Sequence, residues 1–317
     1  MEYNSFDEEN ITSETQRFLE LFETEQAKSP GIHEVDIIEA RLARDNGLSY
    51  FPFRPPSKEV QEIPIARSDG SFIKVRVIRP KCKPVGILIH IHGGGWVFGR
   101  PHHQDWRMTE FANQVGLITA SIEYRLAPEN PWPLCLEDCE TATKWILDNR
   151  TNFFGVDKVA ICGESAGAHL SVGTLLKLKK VTKLDAFVGA LLTYGWFDLS
   201  LTPSARNWGS KKLVLSTPAL EFFIKNLQIG KLTTKDPFLS PIYGDLSGMP
   251  DALFQCGTMD PLSDDTAFMH TKWINSKNNA EIIWYPGGVH AFDSLDSSMA
   301  TDALSNSVEF FTRKFQA

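Results

Sequence analysis

The sequence predicts an α/β fold in which a mostly parallel central sheet is flanked by helices and roofed by a helical cap. Three observations carry this. Short, continuously apolar runs alternate with helical stretches from residue 85 to residue 285; a pair of alternating apolar and polar runs precedes them; and two segments, 1–57 and 195–248, fall outside the rhythm. Strands buried on both faces read as continuous apolar runs, and their alternation with helices implies right-handed parallel crossovers. With 317 residues, 42% of them hydrophobic and 22% charged, the chain can bury a core of that size.

Near the N-terminus, Ser13 and Gln16 form a capping box, and Phe18, Leu21 and Phe22 follow at helical spacing, which predicts an amphipathic helix over 14–27 with an acidic outer face. Ile32, Val35, Ile38 and Leu42 predict a second helix, with Gly47 as its stop. Pro52, Pro55 and Pro56 then mark a linker near Ser57. Residues 59–65 and 72–78 alternate about Ser68-Asp69-Gly70 and read as an antiparallel hairpin. Buried strands are predicted at 85–91, 117–122, 159–162, 187–192, 252–255 and 282–285. The stretch 195–248 is irregular, rich in aromatic residues (Trp196, Phe197, Trp208, Phe222, Phe223) and too long for a simple connection. It reads as an insertion folded against the N-terminal helices over the strand ends, where open α/β sheets hold ligands. The expected organisation is a cap segment (1–57), the first part of the core (58–194), a cap insertion (195–248) and the second part of the core (249–317).

A net charge of −7 argues against a general attraction to nucleic acid or to an anionic membrane. Lys177, Lys179 and Lys180 form the densest basic cluster, at a predicted helix end where cations offset the macrodipole. The five cysteines (Cys82, Cys135, Cys139, Cys162, Cys256) show no CxxC pairing, which fits reduced thiols in a cytoplasmic protein better than zinc or redox chemistry. The acidic N-terminus does not read as a secretory signal, and no apolar run approaches the ~20 residues that a membrane span needs.

The chemistry is concentrated at predicted strand ends. Gly163-Glu164-Ser165-Ala166-Gly167 follows an apolar strand and opens a helix, the context in which a serine is held in a strained turn with its hydroxyl projecting. His92-Gly93-Gly94-Gly95-Trp96 follows another strand, and consecutive glycines expose the backbone amides that an oxyanion hole needs. No phosphate-loop pattern GxxxxGK[ST] is present. Ser165 needs a base. Of the eight histidines, His290 is best placed, in the glycine-containing loop after the last predicted strand. The base needs a carboxylate to fix its tautomer. Asp260, after the strand 252–255, is favoured over Asp264 and Asp265, which fall in the first turn of the next helix.

Together HGGGW (92–96), Tyr124-Arg125-Leu126-Ala127-Pro128-Glu129, GESAG (163–167), Asp260-Pro261-Leu262 and Gly288-Val289-His290-Ala291-Phe292 resemble the hormone-sensitive-lipase family of α/β-hydrolase esterases. The resemblance implies that the two outlying segments form the family's cap and that Gly93, Gly94 and Ala166 donate to the oxyanion. It departs from many members in carrying Glu164 where they have aspartate, which reads as a tie between the elbow and nearby polar groups. Tyr124, Arg125 and Glu129 read as loop scaffolding. The expected activity is a serine carboxylesterase acting on short to medium acyl esters through an acyl-enzyme, with Ser165, His290 and Asp260 as triad and no metal or cofactor. The alternatives are an amidase or formamidase with the same triad, or a small-molecule receptor without turnover. Trp96, Phe98, Trp196 and Phe197 are expected to line the substrate pocket, and the resemblance allows a homodimer.

Overall fold

The computed structural model describes Phe6, residues 8–181 and residues 184–316. Eight strands among them form one sheet: β1 (Gln61–Ala66), β2 (Phe72–Ile78), β3 (Gly86–Ile91), β4 (Leu117–Glu123), β5 (Val159–Glu164), β6 (Phe187–Thr193), β7 (Ala252–Met259) and β8 (Ala280–Val289). Their order is β1-β2-β4-β3-β5-β6-β7-β8. The β1–β2 hairpin and the β2–β4 pair are antiparallel, and every later pair is parallel.

Both faces of the sheet are covered. Along β3, Ile87, Ile89 and Ile91 pack to one side while Leu88 packs to the other, the period of two that a strand imposes. On the first side lie α4 (Leu134–Asn149), α5 (Ala166–Lys179) and α8 (Ser263–Asn275), contributing Leu136, Leu175 and Trp273. On the second lie α3 (Asp105–Val115) and α9 (Ser298–Gln316), where Phe111 meets Phe311 edge-on with ring centroids 5.3 Å apart. Each such buried aromatic contributes about 1.5–3 kcal/mol by leaving water.

The outlying segments carry short helices. Residues before the hairpin form α1 (Ser13–Ala27) and α2 (Ile37–Asp45), and the stretch between β6 and β7 holds α6 (Pro203–Asn207) and α7 (Thr217–Leu227). Phe18, Leu19 and Phe22 of α1 join an apolar cluster with Trp208, Leu213 and Val214, and the Lys212 ammonium donates to the Ser29 carbonyl at 3.0 Å. Asp265, fully buried in α8, accepts from the Phe197 and Asp198 amides at 2.7 and 2.8 Å and from the Thr202 hydroxyl at 2.7 Å. Asp264 accepts from the Ser204 amide at 2.7 Å. These two acids hold the stretch after β6 to α8.

Three boundaries differ from the expected ones. Helix α1 is capped by Thr12, whose hydroxyl accepts from the Thr15 amide at 3.2 Å, and Ser13 lies inside the first turn. The second predicted helix is split, because Asp36 accepts from the Ile38 and Glu39 amides at 2.9 and 3.0 Å and so starts α2 there, leaving a separate 3-10 turn at Ile32–Glu34. Strands β7 and β8 run on past their predicted ends and pair as far as Met259 and Val289. Gly257 lets them do so, since a Cβ there would run into the Gly288 backbone. His290 therefore follows a strand directly, not a loop.

A buried ion network fastens the hairpin to the core. The Asp138 carboxylate, 1% exposed, accepts from the Arg67 guanidinium at 2.7 Å and from Arg125 at 2.8 Å, while also accepting from the Arg125 amide at 2.9 Å. Removing it leaves two half-buried guanidinium groups uncompensated. Asp138→Ala should therefore lose about 3–5 kcal/mol in urea unfolding. A loss below about 1 kcal/mol, the worth of an exposed pair, would show that the network does not fasten the hairpin.

Candidate active site

Strand β5 delivers Ser165 to the carboxyl edge of the sheet, and α5 begins at the next residue. Ser165 has φ 55° and ψ −120°, a backbone conformation that L residues avoid. The glycines on either side make the turn sterically possible. A Cβ at Gly163 would run into the Gly167 backbone, and a Cβ at Gly167 would run into the Ile91 carbonyl oxygen of β3. The serine amide is held by the Thr193 carbonyl at 2.9 Å. Its hydroxyl stands at the N-terminus of α5, where free amides favour developing negative charge.

Two further strand ends bring the other expected residues to that hydroxyl. His290, just beyond β8, places Nε2 2.9 Å from the Ser165 Oγ and Nδ1 2.8 Å from the Asp260 Oδ2. Asp260, just beyond β7, is fully buried, and its other oxygen accepts from the Leu262 amide at 2.8 Å. With Nδ1–H donating to the carboxylate, Nε2 is left to accept the serine proton. The Tyr194 ring lies edge-on to the His290 imidazole, centroids 4.7 Å apart. Its hydroxyl donates to Asp293 at 2.5 Å, and Asp293 pairs with Arg107 at 2.8 Å. This buried chain braces the imidazole from behind, and no sequence motif marked it.

The glycine loop corrects one expectation. The Gly93 amide donates to the Glu164 Oε1 at 3.0 Å, so it is not free for an oxyanion. Among the described residues, the amides of Gly94 and Gly95 have no hydrogen-bonded acceptor, and Ala166 is the first residue of α5. Gly94 has φ +116° and Gly95 φ +59°; a Cβ would meet the Phe98 carbonyl at the first and the Phe223 ring at the second. The sequence showed that the loop exposes amides but not which of the three it uses internally.

Glu164 ties the elbow to the glycine loop. Besides Gly93 it meets the His90 Nε2 at 3.1 Å, and the His90 Nδ1 meets the Ser121 hydroxyl at 2.9 Å. Burial alone would raise the Glu164 pKa, but the charge and hydrogen bond of His90, the Arg107 charge and the Gly93 amide outweigh it and hold the carboxyl at about 2. Tyr124, Arg125 and Glu129 have similar bracing contacts: the Tyr124 hydroxyl donates to the His92 carbonyl at 2.8 Å, Arg125 binds Asp138, and Glu129 binds Arg41 at 2.8 Å. Burial pushes the His92 imidazole down to about 3, and its ring stacks on Tyr124 with centroids 4.2 Å apart.

The site opens into a cleft of about 470 Å³, within the range of small-molecule pockets. Phe98 and Trp196 line it as expected. Trp96 and Phe197 do not. Both are fully buried, the Trp96 indole N–H donating to the His169 Nδ1 at 3.2 Å and the Phe197 ring packing against Phe254. The remaining walls come from residues that local pattern could not mark, among them Phe51, Leu215, Ala219, Phe223 and, from α2, Arg44. One group among the described residues has metal-ligand spacing, Asp45 with His102 and His103. Its atoms serve other bonds: Asp45 accepts from Arg100 at 2.9 Å and meets the His103 Nε2 at 3.0 Å, while the His103 Nδ1 accepts from the Arg100 amide at 3.2 Å.

Comparison with known proteins agrees with this fold. A family model described as alpha/beta hydrolase fold matches residues 88–294. An esterase of Acinetobacter venetianus is 27% identical over 275 residues, 86% of this chain and 88% of the relative. An acetyl esterase of Salmonella schwarzengrund is 26% identical over 249 residues, 77% of each chain. Among solved structures, a hyperthermophilic esterase from Pyrobaculum calidifontis superposes with a TM-score of 0.83 at 25% identity, covering 93% of this chain and 97% of its own. An ester-hydrolase from the metagenome of Lake Arreo, complexed with a bipyridine phosphonate derivative, gives a TM-score of 0.84 at 26% identity, covering 97% of this chain and 100% of its own.

Because the folded pKa of Glu164, about 2, lies below its ordinary 4.5, its ionised form stabilises the fold above pH 4.5, and that contribution is lost as the pH falls toward 2. Glu164→Gln should flatten this acid limb in denaturant midpoints measured across the range. An unchanged limb in the variant would place the titrating group elsewhere.

Proposed function

Since the chain belongs to the alpha/beta hydrolase fold family, we propose that it is a serine carboxylesterase that cleaves short to medium acyl esters with Ser165 as nucleophile, His290 as base and Asp260 as orienting carboxylate. That it is a carboxylic ester hydrolase follows from its membership and its esterase relatives. The observation that supports the finer reading is the continuous pair of hydrogen bonds, 2.9 Å from the serine hydroxyl to the imidazole and 2.8 Å from the imidazole to the carboxylate.

The reaction runs in two halves. Ser165 attacks the ester carbonyl while His290 takes its proton, and the alcohol leaves with that proton returned. Water then attacks the acyl-enzyme by the same route. The amides of Gly94, Gly95 and Ala166 receive the oxyanion, and donors of this kind are each worth about 10²–10³ in kcat. Asp260 stabilises the imidazolium formed in each half without itself taking the proton. We assign the roof of the cleft to residues 1–57 and 195–248 acting as a cap. The wall formed by Phe98, Leu215, Ala219 and Phe223 supports acyl groups of short to medium length.

Hydrolysis of a p-nitrophenyl ester series, from acetate to long acyl chains, tests this directly. Ser165→Ala should lower kcat by at least ~10⁴-fold, and an aryl phosphonate should label the wild type once and the variant not at all. Equal turnover in the two would overturn the assignment. Phe223→Ala, which removes the ring facing Gly95, should move the preferred acyl chain to greater length, and an unmoved optimum would mean that this wall does not limit the acyl group.

A further inference from the structure

The reading of the site leaves Arg44, a charged group of the cleft, without a role. Arg44 lies in the last turn of α2 and lines the same cleft as Ser165, Gly94 and His290. Its guanidinium carbon stands 4.4 Å from the centroid of the Phe51 ring. Among the described residues, no acceptor is hydrogen-bonded to the guanidinium and no carboxylate forms an ion pair with it. The other cations of the cleft are taken: Arg100 by Asp45 and Glu123, Lys212 by the Ser29 carbonyl and Glu34.

The acids near Arg44 are committed too. Asp45 serves Arg100 and His103, Glu164 serves His90 and Gly93, and Asp293 serves Arg107 and Tyr194. Glu39 also lines the cleft, five residues back on α2, and among the described residues it forms no ion pair with Arg44. Burial lowers the Arg44 pKa against the opposing pull of Tyr50, Glu164, Tyr194 and Asp45, and the guanidinium stays charged. A cation at a helix C-terminus favours the macrodipole, but that needs neither a place in a ligand cleft nor contact with a ring. A guanidinium laid on an aromatic face keeps its planar edge of N–H donors open, and that edge matches a carboxylate in bidentate geometry.

We propose that Arg44 makes the cleft selective for esters that carry a second, ionised carboxylate, which its guanidinium binds while Ser165 attacks the ester carbonyl. The inference rests on the serine-esterase reading and names a substrate class within it. Hydrolysis would then release either a dicarboxylate or a hydroxy acid, according to which side of the ester bears the charge.

The test uses the full chain and two substrate pairs, monomethyl adipate against methyl hexanoate and 4-acetoxybenzoate against phenyl acetate, which place the carboxylate on the acyl and alcohol sides respectively. For each pair the ratio of kcat/KM, acid over neutral, is measured in wild type, Arg44→Met, Arg44→Lys and Arg44→Glu. Comparing ratios across variants cancels the intrinsic reactivity of the esters. In at least one pair the ratio should fall about 10- to 100-fold in Arg44→Met, be partly kept in Arg44→Lys and fall furthest in Arg44→Glu. Ratios that stay at the wild-type value in both pairs would overturn the inference alone. Turnover of none of the four esters by the wild type would overturn the serine-esterase reading beneath it.

Discussion

The structure depends on a close backbone approach at the carboxyl edge of the parallel strands. The turn between β5 and α5 passes so near the end of β3 that Gly167 lies against the Ile91 carbonyl, and Gly163 against Gly167 itself. This contact makes Ser165 adopt a positive φ and sends its hydroxyl outward. A second such approach, Gly257 against Gly288, lets β7 and β8 stay paired to their last residues. Asp260 and His290 follow those ends directly, and so meet each other and the serine. Strain at Ser165 is thus held by the packing of the sheet, which over-determines the turn.

Around this edge, buried charge is arranged so that few groups are left uncompensated. Glu164 joins the elbow to the glycine loop, Asp138 joins the hairpin to α4, Asp265 joins α8 to the stretch after β6, and Asp293 joins Arg107 to Tyr194 behind the imidazole. Each acid crosses between elements far apart in sequence, and each would cost several kcal/mol to bury alone. The specificity that such contacts confer lies in orientation, since a carboxylate with two or three donors fixes where those donors point.

Much of this was legible in the sequence because the signals were local. A strand that ends in GESAG, a strand that ends in HGGGW, and Asp260 and His290 after two later apolar runs each require only a few adjacent residues to read. What stayed hidden depends on partners distant in the chain. That Gly93 is the one loop amide turned inward follows from the Glu164 side chain, 71 residues away. That Trp96 faces His169 and not the cleft follows from the packing of α5. Thr12 and Asp36 took the capping roles from Ser13 and from a continuous helix because capping is decided by which side chain reaches the free amides, not by which carries the preferred pattern.

The N-terminal helices have one more property. Neither α1 nor α2 contains a fully buried residue, whereas strands β3 and β5 are buried throughout. Local stability follows the density of buried contacts, so these helices belong to the part of the molecule that opens at a fraction of the free energy of global unfolding. The same looseness means that α2 can exchange its side chains, Arg44 included, at little cost to the stability of the sheet.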